Sequence, residues 1–427
     1  MTPFPRPTHL QANSPRPVAQ LAARVYTVVL PFVLLIGALL IFPNPATTPV
    51  GMVGVLAVLF LRWLAFGNPF PKTQLNPFLL AFLLLFAVGL FFTPKPDTAW
   101  MVAGHALAGI LVFVSILDRA TAPRQWVIAT GVMVLIGVIF AFGAPFGVLW
   151  SGSAGFDFGA LTTRYFPQLA RGANVNNVAG TLEVAVPLAL ALIAAKQKPW
   201  HLIGAVALAP LLVMLLLLQS RGAWLAVLMG LVVYATLYRR WILPFVPLVL
   251  LGGLVLNNAF GDPLPTNAIG GDTRDAVTLG DRTEIWREGL RLLSRSPILG
   301  IGVNGFAAYG KPVVGTGTGE YALVGNHSHN LFLQITLDTG ILGLAAFLAL
   351  LATAALTAWR VYRRPNPAPI ARALAIGLLA AFAVIVTHSM FDMIFWGIKA
   401  GIFLWAVLAL AIAVGETNEK IAPPNNT

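Results

Sequence analysis

Residues 331–359 read LFLQITLDTGILGLAAFLALLATAALTAW, an apolar run whose single charged side chain is Asp338. A helix of about 20 such residues crosses the ~30 Å hydrocarbon layer of a bilayer, so this stretch predicts a membrane-spanning helix. The residues directly before it, 325–330, read GNHSHN. Two histidines at the mouth of a spanning helix are unusual, and they mark the place where chemistry is expected.

The rest of the chain has the same apolar character. Hydrophobic residues make up 58% of the 427 residues, charged residues only 10%, and the mean hydropathy is +0.82. A soluble domain has about a quarter charged residues. The sequence therefore predicts an all-α polytopic membrane protein, because spanning strands would need shorter, alternating segments. About twelve spans are predicted, at 26–42, 49–66, 77–93, 99–117, 126–142, 175–195, 201–219, 222–238, 242–257, 331–359, 370–389 and 395–414.

The basic residues predict the orientation of the spans. Short loops rich in Lys and Arg face the cytoplasm, and one alternate set of loops holds Lys72, Arg119, Arg124, Lys196, Lys198, Arg239, Arg240, Arg360, Arg363 and Arg364. Both termini join that set. The predicted organisation is a disordered cytoplasmic tail at 1–25, nine spans within 26–257, an outside loop at 258–328, three spans within 329–415 and a second tail at 416–427.

The two long outside loops, at about 143–174 and 258–328, far exceed the usual ~4–6 residues of a connection. The second contains the sequence GDRTEIWREGLRLLSRSPILGIGVNGF. Asp281 and Glu284 have the spacing of a capping box, which predicts an ordered outside helix that starts there. Its predicted apolar face holds Trp286, Leu290 and Leu293, its basic face holds Arg287, Arg291 and Arg295, and Pro297 and Gly300 end it.

The candidate functional residues gather on the predicted outside face. They are Arg164 and Arg171 in the first long loop, Arg221 between two spans, Arg282 and Arg287 on the outside helix, and His327, His329 and Asn330 before the tenth span. Arginine binds phosphate through a planar fork, and histidine transfers protons near neutral pH. Together these residue types suit a group-transfer site with a diphosphate leaving group and a hydroxyl nucleophile.

Plainer interpretations exist for most of these residues. Arg164 could anchor a loop to lipid headgroups, and Arg287 could lie on a solvated face paired with Glu284. The two histidines could cap the helix or bind water. Arg221 is harder to explain in this way, because apolar sequence flanks it on both sides and a buried arginine needs a polar cavity. We expect His105 and His388 to pack inside the bundle or to support site residues from behind.

Several classes of site have no sequence support. The chain has no cysteine, no H-E-x-x-H, no Asp-x-Asp in an outside loop and no phosphate-binding loop of the G-x-x-x-x-G-K-S/T type. We therefore expect neither a metal nor a cofactor. The net charge of +12 is attributed to topology and anionic lipid headgroups rather than to nucleic acid.

Three motifs resemble those of the O-antigen ligase family. His329 and Asn330 precede nine residues and then Gly340 and Gly343, which resembles the ligase signature. Ser220, Arg221 and Gly222 match a Ser-Arg-Gly at a helix start. A third pattern, an Arg-bearing helix with a Trp followed by Pro, Leu-Gly and Gly before Phe, is matched by Arg282, Trp286, Pro297, Leu299, Gly300, Gly302 and Phe306.

This resemblance implies a glycosyltransferase of the bacterial inner membrane with a GT-C-like fold and a periplasmic site. Such a ligase moves a polysaccharide from undecaprenyl diphosphate to a sugar of lipid A-core, in lipopolysaccharide biosynthesis, without metal or nucleotide. The motif histidine corresponds to His329 and the motif arginine to Arg221, as catalytic residues. Arg282 and Arg171 correspond less closely to substrate-binding positions.

Other functions stay open at this point. An O-antigen polymerase or a protein O-oligosaccharyltransferase would share the architecture and the arginines. A transporter of polyprenyl-linked sugar would place ionisable residues near the middle of the spans and be accessible from both sides. The clustering of candidate residues at one face favours an enzyme, and the His329 spacing favours a ligase.

Overall fold

The computed structural model describes residues 17–41, 45–147, 174–218, 220–245, 279–310, 313–314, 321–322 and 327–421. Within them the helices are α1 (Pro17–Ile41), α2 (Thr48–Phe66), α3 (Asn76–Phe91), α4 (Pro96–Arg119), α5 (Pro123–Gly147), α6 (Val175–Ala195), α7 (Trp200–Leu217), α8 (Arg221–Tyr238), α9 (Leu279–Leu293), α10 (Phe306–Tyr309), α11 (Leu331–Arg363), α12 (Pro369–Ser389) and α13 (Gly401–Ile421). Two 3₁₀ helices cover Pro45–Thr47 and Arg240–Phe245. Strands β1 (Val313–Val314) and β2 (Tyr321–Ala322) form a short antiparallel ladder.

The predicted helical membrane architecture is confirmed. Nine described helices are long and apolar enough to cross a membrane, namely α1, α2, α4 to α8, α11 and α12, and α3 and α13 are shorter apolar helices. The predicted span at 242–257 lies mostly outside the described residues, so the count of twelve stays a prediction. Helix α1 begins at Pro17, earlier than the predicted span at 26–42.

The helices run between two ends of the bundle. At the upper end, α6, α8 and α11 begin and α12 finishes, and residues from their termini hydrogen-bond to one another. At the lower end α6, α8 and α11 finish and α12 begins. The basic residues Lys196, Arg239 and Arg364 follow directly on the lower ends of α6, α8 and α11.

A buried ion pair fixes the lower end of the first helices. The guanidinium of Arg62 on α2 donates to both carboxylate oxygens of Asp118 on α4, each at 2.8 Å, and the Tyr26 hydroxyl donates to the same carboxylate at 2.7 Å. All three side chains are buried. A charge inside a spanning bundle needs such partners, because an unpaired one costs several kcal/mol.

The middle of the bundle is formed by α6 and α12. In the apolar membrane-spanning stretch of α6, 83% of the residues are buried, whereas only 17% are buried in the corresponding stretch of α1 at the edge of the bundle. Small residues allow this close packing. A Cβ on Gly377 of α12, for example, would lie 2.4 Å from the Cβ of Ala191 on α6. The centre of the bundle is therefore closely packed, and it carries helix ends that form the candidate site.

Helix α11 is broken at Gly340, where φ is 74° and ψ is −179°. The backbone of the segment after α9 fills the break: Ile301 N donates to Leu337 O at 2.7 Å, and Ile341 N donates to Pro297 O at 2.9 Å. A Cβ on Gly340 would lie 1.8 Å from Ile298 O. The close contact at this glycine is thus made with a loop and not with a second helix.

The predicted amphipathic helix exists as α9, but two predicted details were wrong. It begins at Leu279, so Asp281 lies inside it and is not its N-cap. Its buried face holds Ile285, Gly289 and Leu292, while Leu290 is 59% exposed. This face packs against Leu333 and Leu337 of α11, which the amphipathic pattern alone could not identify.

We expect Gly340→Ala to lower the thermal stability of the detergent-solubilised protein. Alanine at positive φ, in contact with backbone it cannot displace, costs about 1–3 kcal/mol. The control is Gly143→Ala, because a Cβ there meets nothing within 4 Å. That exposed helical position should tolerate alanine or gain slightly from it. Equal melting temperatures for the two variants would contradict the close contact between α11 and the 297–301 segment.

Candidate active site

Three helix N-termini meet at the upper end of the bundle. Asn174 caps α6, Ser220 caps α8 and Asn330 caps α11, each accepting a hydrogen bond from a backbone N–H of the first turn. The N-terminus of a helix carries a partial positive charge and favours anions. The site is therefore electropositive before any side-chain charge is counted.

A chain of polar contacts joins these helix starts to the segment between α12 and α13. The Ser220 hydroxyl donates to the Asn176 side-chain oxygen at 2.8 Å, and the Asn176 amide donates to Asp392 Oδ2 at 3.0 Å. The other oxygen of Asp392 lies 3.5 Å from His329 Nδ1. The cap of α8, and hence the adjacent Arg221, is thus linked to His329 through Asn176 and Asp392.

His329 is held in an unusual backbone conformation. Its φ is 46°, in the left-handed region that non-glycine residues rarely adopt. Backbone strain of this kind clusters at functional sites. Its side chain is 12% exposed. The 3.5 Å distance from its Nδ1 to Asp392 Oδ1 is longer than an ordinary hydrogen bond.

His327 lies against His329, with ring centroids 4.1 Å apart, and its Nδ1 accepts from the His329 backbone N–H at 3.3 Å. Burial and the neighbouring His329 lower the pKa of His327 to about 4, although Asp392 opposes the shift. His327 is therefore neutral at physiological pH and can act as a hydrogen-bond acceptor.

Arg282 is brought to this cluster by the docking of α9. Trp286 Nε1 donates to Ser328 O at 3.1 Å, and the apolar face of α9 packs on α11. Burial lowers the pKa of Arg282, Asp392 raises it, and the charge of Arg221 lowers it further. The buried Nε of Arg282 has no hydrogen-bond partner among the described residues. The positive charges of Arg221 and Arg282 thus lie close enough to repel each other, and Arg282 retains an N–H donor that is available to a ligand.

Asp392 is the residue that the sequence analysis missed. Burial alone would raise the pKa of its carboxyl, but His329, His327 and His388 hold that pKa below its ordinary range. The carboxylate is therefore ionised at neutral pH. In the sequence it is a lone acid just after a predicted span, and only its position beside GNHSHN in space reveals it.

A second pair of a histidine and an acidic residue, His388 and Glu183, lies below His329 and Asp392. His388 Nδ1 of α12 is 2.8 Å from both carboxylate oxygens of Glu183 on α6, and both residues are buried. A Cβ on Gly222 would lie 2.9 Å from His388 Nε2. The Gly222 position in Ser-Arg-Gly thus leaves room for this imidazole, and the predicted packing role of His388 includes an ionisable partner.

The remaining predicted site residues lie elsewhere or act differently. Asn330 caps α11 and donates to Met390 O at 3.0 Å, so it contacts backbone and not the His329 ring. Arg287 pairs with Glu284, and its side chain is 72% exposed. The structure does not bring it into the cluster. Arg164 and Arg171 lie outside the described residues.

His327, His329 and Asp392 could also hold a cation, since one ligand atom from each lies within 4.8 Å of the others. The donor set of two imidazoles and a carboxylate suits zinc. The charge of Arg282 disfavours a dication here, because Asp392 raises the pKa of Arg282 and Arg282 lowers the pKa of His327, which places the guanidinium close to both groups. The same positive charges favour an anionic ligand.

The family model described as O-antigen ligase matches residues 205–348. This match supports an O-antigen ligase family assignment. The matched region runs from α7 to the middle of α11 and contains Arg221, Arg282, His327 and His329. Among curated proteins, nothing matches the chain. Members of the O-antigen ligase family are glycosyltransferase-like enzymes of O-antigen assembly.

If this cluster catalyses glycan transfer, as in the family whose model matches, Asp392→Asn should reduce that transfer by on the order of 10²-fold without unfolding the protein. Asparagine keeps the shape but removes the charge that attracts His329 and Arg282, and loss of such an orienting carboxylate is costly. Asp97→Asn, at an exposed carboxylate in the first turn of α4, is the matched control. Unchanged transfer by Asp392→Asn would show that the carboxylate does not support the reaction.

Proposed function

We propose that this protein is an O-antigen ligase that transfers a polysaccharide from undecaprenyl diphosphate to a sugar of lipid A-core. The observation that carries the proposal is the convergence of His329, Asp392 and Arg282 with Arg221 at the starts of three helices. An imidazole beside an ionised carboxylate, together with two guanidiniums, suits the transfer of a group from a diphosphate to a hydroxyl.

In this proposal His329 is the general base. Asp392 faces Nδ1 and favours the tautomer with its proton there, which leaves the lone pair of Nε2 for the acceptor hydroxyl. As that hydroxyl oxygen bonds to the anomeric carbon, its proton passes to Nε2. The bond from the anomeric carbon to the diphosphate oxygen breaks, and undecaprenyl diphosphate leaves with the electron pair. A single displacement inverts the anomeric configuration.

The two guanidiniums and the helix N-termini stabilise the departing diphosphate. Arg221 extends from the first residue of α8, and the free Nε donor of Arg282 is available to a phosphate oxygen. Preorganised charge of this kind contributes about 3–4 kcal/mol per group. A diphosphate is already a good leaving group, so no general acid is needed. Neither a metal nor a cofactor has a role in this scheme.

We also propose that the upper end of the bundle faces the periplasm of a bacterial inner membrane and that both termini are cytoplasmic. The support is the distribution of charge: Lys196, Arg239 and Arg364 lie at the lower end, as the positive-inside rule requires of cytoplasmic loops. The loop at 258–328, which includes α9, then lies on the same side as both lipid-borne substrates.

The decisive experiment offers the purified protein two acceptors. It receives an undecaprenyl-diphosphate-linked glycan with either lipid A-core or a second lipid-linked glycan, with and without a chelator. We expect glycosylated lipid A-core, and the same rate with chelator. Consumption of the second lipid-linked glycan instead would identify a polymerase, and loss of activity with chelator would assign a metal to the His327, His329 and Asp392 cluster.

We expect His329→Ala to abolish transfer while the protein stays folded. His327→Gln should retain at least a tenth of the activity, and its pH profile between about pH 5 and 9 should match that of the wild type. The reason is that His327, with a pKa of about 4, is already neutral throughout this range. A profile altered by His327→Gln, or near-normal transfer by His329→Ala, would reassign the base.

We expect Arg221→Lys and Arg282→Lys each to lower transfer by about 10²-fold, because lysine keeps the charge but loses the fork that binds two phosphate oxygens. Arg287→Lys is the matched control on the same outside helix. Since its side chain is 72% exposed and paired with Glu284, transfer should change less than threefold. An equal loss in all three variants would point to general surface charge.

A further inference from the structure

A cavity of about 400 Å³ lies at the lower end of the bundle, where α11 finishes and α12 begins. Its lining residues are Tyr362, Arg363, Arg364, Asn366, Pro367 and Arg372. Both helices reach the candidate active site at their other ends, so the cavity is a separate place in the molecule. The proposed reaction does not use it.

The chemistry of the lining selects an anion. Three of the six lining residues are arginines, and none of the six is acidic. Two of the guanidiniums lie near aromatic rings: Arg363 is 5.9 Å from the ring centre of Trp359, and Arg372 is 5.5 Å from that of Tyr362. Stacking holds an arginine side chain in place, and the planar guanidinium fork matches phosphate oxygens. The size suits a small phosphate-bearing group.

A second observation points to a lipid as the source of that phosphate. Leu348, Leu356 and Trp359 of α11 are 43%, 51% and 41% exposed, and their spacing places them on one face of the helix. Arg363, four residues after Trp359, continues this face and lines the cavity. An exposed apolar stripe of a spanning helix therefore ends at the basic cavity.

We propose that this cavity binds the phosphate headgroup of an anionic phospholipid, with an acyl chain lying along the exposed stripe of α11. A basic pocket at the membrane surface is the expected receptor for such a headgroup. The bound lipid would connect the lower ends of α11 and α12, the two helices whose upper ends bring His329 and Asp392 together. This proposal does not depend on the proposed function.

The test measures lipid retention by the full-length protein with native mass spectrometry. Wild type, Arg363→Gln/Arg372→Gln and Arg239→Gln/Arg240→Gln are purified in a neutral detergent and titrated with phosphatidylglycerol or with phosphatidylcholine. The second variant is the matched control, because it removes two exposed positive charges from the same end of the bundle. Melting temperatures in detergent alone verify that both variants fold.

We expect the cavity variant to retain at least fivefold less phosphatidylglycerol than wild type, while the control variant and phosphatidylcholine binding stay within twofold of wild type. An equal loss in both variants would overturn the site, since non-specific surface charge would explain it. A final arm adds inorganic phosphate. If phosphate displaces the lipid at equal concentration, or stabilises the protein as strongly, the anion site stands but the lipid assignment is wrong.

Discussion

An ionised carboxylate in the interior of a membrane bundle requires partners that stabilise its charge, and Asp392 obtains them from three histidines, the Asn176 amide and the Arg282 guanidinium. This requirement ties together elements that are far apart in the chain. His327 and His329 precede α11, Arg282 lies on α9, and His388 belongs to α12. Without these partners the buried charge of Asp392 would be uncompensated, which costs several kcal/mol. The charge of Asp392 therefore constrains how these elements are arranged.

The helix N-termini around this cluster add further positive partial charge. Asn174, Ser220 and Asn330 cap α6, α8 and α11, and Asn176 connects two of these starts to Asp392. Capped N-termini keep their backbone dipoles pointed at a common space. The buried Glu183–His388 pair lies beneath and occupies the room that Gly222 leaves. Rigid elements thus present positive charge and one imidazole to a ligand, without rearrangement of the bundle.

The buried arginines at the two ends of the bundle differ in their hydrogen-bond partners. At the lower end Arg62 donates to both carboxylate oxygens of Asp118 and to the backbone carbonyl of Asn68. At the upper end Arg282 has a buried Nε without a partner among the described residues. A paired charge stabilises the fold, whereas an unpaired donor in an electropositive space is available to an anionic ligand. This difference is the reason for proposing a substrate-binding role for Arg282 and not for Arg62.

The amphipathic helix illustrates what periodicity can and cannot predict. Its existence follows from apolar residues at helical spacing, but the predicted face included Leu290, which is exposed, and omitted Ile285 and Leu292, which are buried. A pattern over so few residues is compatible with two neighbouring faces, and the shape of α11 decides between them. Gly340 is a similar case, because the segment that packs against it, residues 297–301, is distant in the sequence and is identified only by the structure.

The sequence by itself determined the helical membrane class and the positions of most spans, and it singled out His329, Arg221 and Arg282 as candidate site residues. Hydrophobic length and local motifs suffice for these, because both are properties of contiguous residues. Only the tertiary structure decided that Asp392, Asn176 and the Glu183–His388 pair belong with them, and that Arg287 does not. Those assignments depend on distances between side chains from different helices. The sequence around a single polar residue in an apolar segment does not identify the residue that it contacts.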